Sequence, residues 1–160
     1  MPDGSVPKGP SPSELRAYAV RLLGQREYSV RELDRRLRRK WPGLDGGLLE
    51  ELLVALVDEN LLSDARFAES YLRSQVQRYS GPLKIRAALR ERGVSDAIIA
   101  AALDQPAGDW TDLAAAWLER QHPGPLDFDA RGKYYRRLVN RGFTHDQAMD
   151  AVNGQQGGAL

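Results

Sequence analysis

The chain has 160 residues, 42% apolar, 28% charged and 8% aromatic, which fits one ordinary globular domain or a short array of repeats and excludes a collagenous or wholly disordered polymer. Its 23 Lys and Arg against 22 Asp and Glu leave a net charge of +1, so no global field draws it to nucleic acid or membrane and any partner must be found by local charge. With no cysteine there is no disulfide framework, no thiolate nucleophile and no Cys-based zinc site, which fits a reducing, cytoplasmic setting. The longest nearly apolar run, Leu48 to Val57, is broken by Glu50 and Glu51, while a bilayer span takes about 20 apolar residues. The opening Met1-Pro2-Asp3-Gly4 lacks the basic and apolar segments of a secretory signal, so a cytoplasmic protein without membrane contact is expected.

Residues 1–12 carry four prolines among Gly and Ser, and residues 154–160 read Gly-Gln-Gln-Gly-Gly-Ala-Leu, so both ends are expected to be flexible tails. Between them the apolar spacing is helical and no alternating β-branched run occurs, which predicts an all-α fold. Ser13 is expected to precede a first helix ending near Gln25, with Leu15, Tyr18, Ala19, Leu22 and Leu23 on one face. Ser29-Val30-Arg31-Glu32 is a capping box opening a second helix, whose apolar side is Val30, Leu33, Leu37 and Trp41 and which Pro42-Gly43 stops. A third helix over about 46–59 places Leu49, Leu52, Leu53, Leu56 and Val57 inward.

The pattern then recurs. Ala19, Leu22 and Leu23 have counterparts at Ala68, Tyr71 and Leu72 and again at Ala114, Trp117 and Leu118. Leu37, Leu89 and Leu138 correspond, and the last two stand in matching strings, Leu89-Arg90-Glu91-Arg92-Gly93-Val94 and Leu138-Val139-Asn140-Arg141-Gly142-Phe143, in which glycine supplies a left-handed cap. Third helices follow at once, opened by Ser95-Asp96 and by a second capping box, Thr144 to Gln147. Ile98, Ile99, Ala102 and Leu103 match Ala148, Met149 and Val152. The expected architecture is three tandem three-helix repeats over 13–60, 64–105 and 109–153. A unit of about 45 residues buries little core alone, so stacking should give an elongated, curved array rather than one compact nine-helix domain.

Charge follows the same period. Residues 14–44 hold nine basic residues and four acidic ones, whereas 45–65 hold six acids and no base. Residues 66–93 hold seven bases and two acids, and 94–113 four acids and no base. Residues 131–142 hold five bases and no acid. Residues three or four apart share a helix face, which makes Arg31, Arg35 and Arg38 a stripe opposite Leu33 and Leu37. Lys84, Arg86 and Arg90 occupy the equivalent region of the second repeat, and Lys133, Arg136 and Arg137 that of the third. Solvation of an exposed face explains most single charge runs, but it does not require basic and acidic helices to alternate three times. These nine residues are the candidate contacts for phosphates or an acidic protein surface. Tyr134 and Tyr135 fit core packing better than base stacking.

Catalytic and cofactor signals are missing. No phosphate-cradling glycine loop occurs, and no cofactor is expected. His122 and His145 lack metal-ligand spacing; the first falls in a loop and the second in a helical first turn, expected to be solvated. The serines sit mostly at helix caps, and Glu50 and Glu51 point about 100° apart, a poor acid and base pair.

One stretch is more specific. Asp64-x-x-Phe67-Ala68-x-x-Tyr71, followed by Arg78-x-x-Gly81-Pro82-x-x-Ile85-x-x-x-Leu89-x-x-Arg92-Gly93-Val94, closely resembles the signature of the RecX family, regulators of the bacterial recombinase RecA. The likeness covers about residues 15–153 and departs at Ser63, where many members carry an acid. Physically, Asp64 reads as a helix cap, Phe67 and Tyr71 as an i,i+4 aromatic pair facing the core, and Gly81-Pro82 as a break that starts the next helix. The resemblance implies a protein of tandem three-helix repeats, and with no catalytic signal a non-enzymatic monomer is expected. It would lie in the groove of the RecA filament on single-stranded DNA, bridge successive recombinase subunits, and damp ATP hydrolysis, strand exchange and co-protease activity; with so small a net charge, binding to free DNA is expected to be weak. The alternatives are a single-stranded DNA-binding helical module that acts by competing for the strand, and a helical scaffold with an unrelated partner.

Overall fold

The computed structural model describes residues 9–104 and 109–154. Among these the chain is all-α, with nine helices and no strand: α1 (Pro12–Gln25), α2 (Val30–Lys40), α3 (Gly46–Asp58), α4 (Asp64–Gln77), α5 (Pro82–Glu91), α6 (Asp96–Leu103), α7 (Asp109–Gln121), α8 (Phe128–Asn140) and α9 (His145–Gly154). The expected tails lie outside the described residues over 1–8 and 155–160, as does residue 105 at the expected end of the second repeat.

Most helix starts follow from side chains that satisfy free amides. Ser29 and Glu32 form the expected capping box, Ser95 accepts the Ile98 N–H, and Thr144 and Gln147 cap each other's backbone at 3.1 and 2.9 Å. Two starts differ from expectation. Helix α1 is capped by Ser11 rather than Ser13, because Pro12, which has no amide to leave unbonded, occupies the first helical position. Helix α4 is capped by Ser63, whose hydroxyl accepts the Arg66 N–H at 3.1 Å, so Asp64 is the first residue inside the helix and not its cap.

The described residues pack as two compact units. One comprises α1 to α3, the beginning of α4 and the turn Arg92–Val94. Its core is Leu15, Ala19 and Leu22 of α1, Leu33 and Leu37 of α2, and Leu49, Leu52, Leu53 and Leu56 of α3, with Tyr28, Leu44 and Leu62 from the connections. Val57, expected inward, is 45% exposed: at 100° per residue it lies roughly 90° from the centre of the α3 stripe. The other unit comprises the rest of α4, α5, and α6 to α9. Trp117, Leu118, Tyr134, Leu138, Phe143, Ala148, Ala151 and Val152 form its principal core. Phe67 is buried, whereas Tyr71 is half-buried rather than fully in the core.

Two glycine turns join elements that are distant in sequence. Gly142 has φ +100°, and a Cβ there would overlap the Lys84 Cβ; a Cβ on Gly81 would overlap the Gly142 and Phe143 backbone. The absence of both side chains lets the Gly81 N–H reach the Arg141 carbonyl at 2.7 Å and the Leu83 N–H reach the Gly142 carbonyl at 2.9 Å. The start of α5 therefore docks on the end of α8, a positive helix end against a negative one. In the first unit the Ser29 hydroxyl donates to the Arg92 carbonyl at 2.8 Å, and Gly93, at φ +82°, leaves the space that the Arg31 side chain crosses. The Arg-Gly string repeated in the sequence is thus a docking turn used twice.

Candidate interaction surface

The second helix of each repeat buries an apolar stripe and turns its cations outward. In α2, Leu33 and Leu37 are buried while Arg31, Arg35 and Arg38 are exposed. In α5, Ile85 and Leu89 are buried while Lys84, Arg86 and Arg90 are exposed. In α8, Tyr134 and Leu138 are buried while Lys133, Arg136 and Arg137 are exposed. The opposition follows from the 3.6-residue period acting on alternating leucine and arginine.

The nine cations differ in their partners. Arg38 Nε bonds Asp34 Oδ1 at 3.1 Å and Arg90 Nε bonds Asp96 Oδ1 at 2.9 Å. Exposed pairs of this kind are worth at most about 1 kcal/mol, so a partner could displace either acid. Among the described residues no ion pair engages Arg31, Arg35, Lys84, Arg86, Lys133, Arg136 or Arg137. In the first turn of α2 the Val30 N–H donates to Asp64 Oδ1 at 2.8 Å and the Glu32 N–H to the Ser29 hydroxyl at 3.1 Å, so two of its free amides are taken by the protein.

The third repeat separates residues that the sequence places together. Lys133 and Arg137 flank Tyr134, each 5.5 Å from its ring centroid. Arg136 points elsewhere, into a groove of about 700 Å³ beside Phe128, Tyr135 and Met149. Arg137 instead shares a cleft of about 450 Å³ with Lys84, so the structure brings together one candidate from α5 and one from α8. Trp117, Gln121, Asn140 and Arg141 line the same cleft. Sequence reasoning missed these four; the available signal was the repeat of Arg92-Gly93 at Arg141-Gly142.

Arg141 is held in place. Its Nε donates to the Tyr79 carbonyl at 3.0 Å, its Nη2 to the Arg78 carbonyl at 2.6 Å, and its guanidinium stands 5.1 Å from the Trp117 ring. Arg120 Nη1 donates to the Tyr79 hydroxyl at 3.0 Å, and this bond, with the attraction of the tyrosine oxygen, raises the arginine above its ordinary pKa. Tyr134 packs edge-on against Trp117 and His122, in agreement with the core reading. Tyr135 is half-buried, and its hydroxyl lies 2.7 Å from His145 Nδ1, so His145 is engaged rather than merely solvated.

No cluster of three or more His, Asp or Glu suited to a metal occurs among the described residues, and no described helix is long and apolar enough to cross a membrane. The exposed large apolar residues include Phe128, at 81%.

Comparison with known proteins places this arrangement. Residues 63–103 match the family described as RecX, second three-helix domain. The regulatory protein RecX of Halorhodospira halophila is 39% identical over 146 residues, covering 90% of this chain and 89% of the relative. That of Chromohalobacter salexigens is 43% identical over 135 residues, covering 84% and 88%. The crystal structure of RecX from Lactobacillus salivarius superposes with a TM-score of 0.76 over 91% of this chain and 96% of the other at 21% identity, a likeness of fold.

Proposed function

Because the chain belongs to the RecX family of regulatory proteins, we propose that it is a non-enzymatic cytoplasmic modulator of RecA, binding as a monomer to the recombinase filament on single-stranded DNA and restraining its ATPase, recombinase and co-protease activities. The observation that carries this reading is the recurrence of exposed cations on α2, α5 and α8, most of them without an ion pair among the described residues. A protein of net charge +1 gains little from long-range attraction to DNA, so its affinity must come from such local contacts. The three repeats, 13–60, 64–105 and 109–153, would each present one basic helix to the nucleoprotein. A dimeric or membrane-bound form has no part in this reading.

Titration of the protein into RecA filaments on single-stranded DNA, with ATP hydrolysis and filament length followed together, tests it. Inhibition at amounts far below those that coat the DNA is the expected result. Inhibition only when the strand is saturated would replace this reading with competition for DNA.

A further inference from the structure

The cleft between α5, α7 and α8 holds more uncompensated charge than folding requires. Lys84, Arg137 and Arg141 converge on a space of about 450 Å³, and no acidic side chain lines it among the described residues. The backbone does not neutralise them either. The Arg141 and Gly142 carbonyls, which end α8, are already occupied by the Gly81 and Leu83 amides. Arg141 meets neutral carbonyls and the Trp117 ring, and Arg137 the Tyr134 ring. Three cations held around one concavity repel one another, and that repulsion is relieved when an anion enters.

We propose that this cleft is a binding site for a backbone phosphate of single-stranded DNA, with Arg137 and Lys84 as its charged ligands and Arg141 as a fixed positive wall. A planar guanidinium matches two phosphate oxygens, and a lysine adds a mobile point charge. The side-chain amides of Gln121 and Asn140 offer uncharged hydrogen bonds to the rest of a nucleotide, and a space of this size takes a nucleotide-sized group. The neutral amides beside the cations suit a phosphate joined to a nucleoside better than a bare carboxylate, which would leave them without a partner. The inference deepens the proposed function and takes the identity of the strand from it.

The test uses the full chain and fluorescein-labelled oligothymidylate without recombinase, with anisotropy measured across a salt series. The expected result is a several-fold weaker affinity for Lys84→Gln/Arg137→Gln and a slope of log K against log salt shallower by about 0.7 for each phosphate no longer neutralised. Asn140→Asp, which sets a carboxylate in the cleft, should weaken binding in the same direction, and Lys84→Arg should retain it. Circular dichroism and the thermal midpoint should match the wild type; if the double variant does not fold, Asn140→Asp decides. An unchanged salt slope in a folded double variant, or no DNA binding by the wild type, overturns the site. If inorganic phosphate competes as well as thymidine monophosphate, the cleft takes the free ion and the strand assignment fails. If the double variant binds DNA normally but no longer slows RecA, the cleft faces protein, and this inference fails while the proposed function stands. Normal cleft behaviour with no effect on RecA gives the reverse.

Discussion

The carboxylate of Asp64 accepts the backbone N–H of Val30 at 2.8 Å, so the first residue of α4 serves as a cap for α2, 34 positions earlier. With the Ser29–Glu32 capping box, it satisfies amides at the start of the arginine-bearing helix from two places in the chain, while the Ser29 hydroxyl donates onward to the Arg92 carbonyl. An aspartate that reads as a local cap is therefore a long-range one.

Asp64→Ala leaves the Val30 amide without its acceptor in a partly buried place, and removing a cap costs about 0.5–2 kcal/mol. Urea unfolding followed by circular dichroism should show that destabilisation, while Ser63→Ala, removing the true cap of α4, should cost a similar amount independently. Full stability in Asp64→Ala would remove the cross-helix cap.

Gly142→Ala combines a strained positive φ with overlap on Lys84, and Gly81→Ala meets the Gly142–Phe143 backbone. Each should destabilise the second unit by about 2–4 kcal/mol, since overpacking alone costs about 1–3. Gly24→Ala, in α1 with nothing within 4 Å of the added Cβ, should instead stabilise by up to about 1 kcal/mol. Thermal denaturation of the three variants tests the contrast.

Arg86→Glu/Arg90→Glu should weaken binding to RecA filaments several-fold at low salt and leave helicity intact, because both side chains are exposed. Breaking the Arg90–Asp96 pair should itself cost no more than about 1 kcal/mol. Leu89→Asp, at a position 0% exposed, should unfold its repeat by burying an unpaired charge. The facing assignment is wrong if circular dichroism reports the opposite order.

Two phenylalanines differ as sharply in what they hold together. Phe128→Ser, at 81% exposure, should change stability by no more than about 0.5 kcal/mol, whereas Phe143→Ala, at 1%, should cost about 3–5 kcal/mol. Paired urea titrations measure both.

Helix existence, the inward leucines and the caps at Ser29, Ser95 and Thr144 were legible in the sequence, because a cap and an amphipathic stripe are written within a few neighbouring residues. So were the exposed arginines, which must point away from leucines that are buried. Tertiary structure alone decided that Asp64 caps α2, that Gly142 exists to admit Lys84, that Arg136 parts company with Arg137, and that Arg137 meets Lys84 across a cleft. Each depends on distances between segments tens of residues apart, and a period of 3.6 residues carries a direction around one helix axis but nothing about which second axis lies across from it.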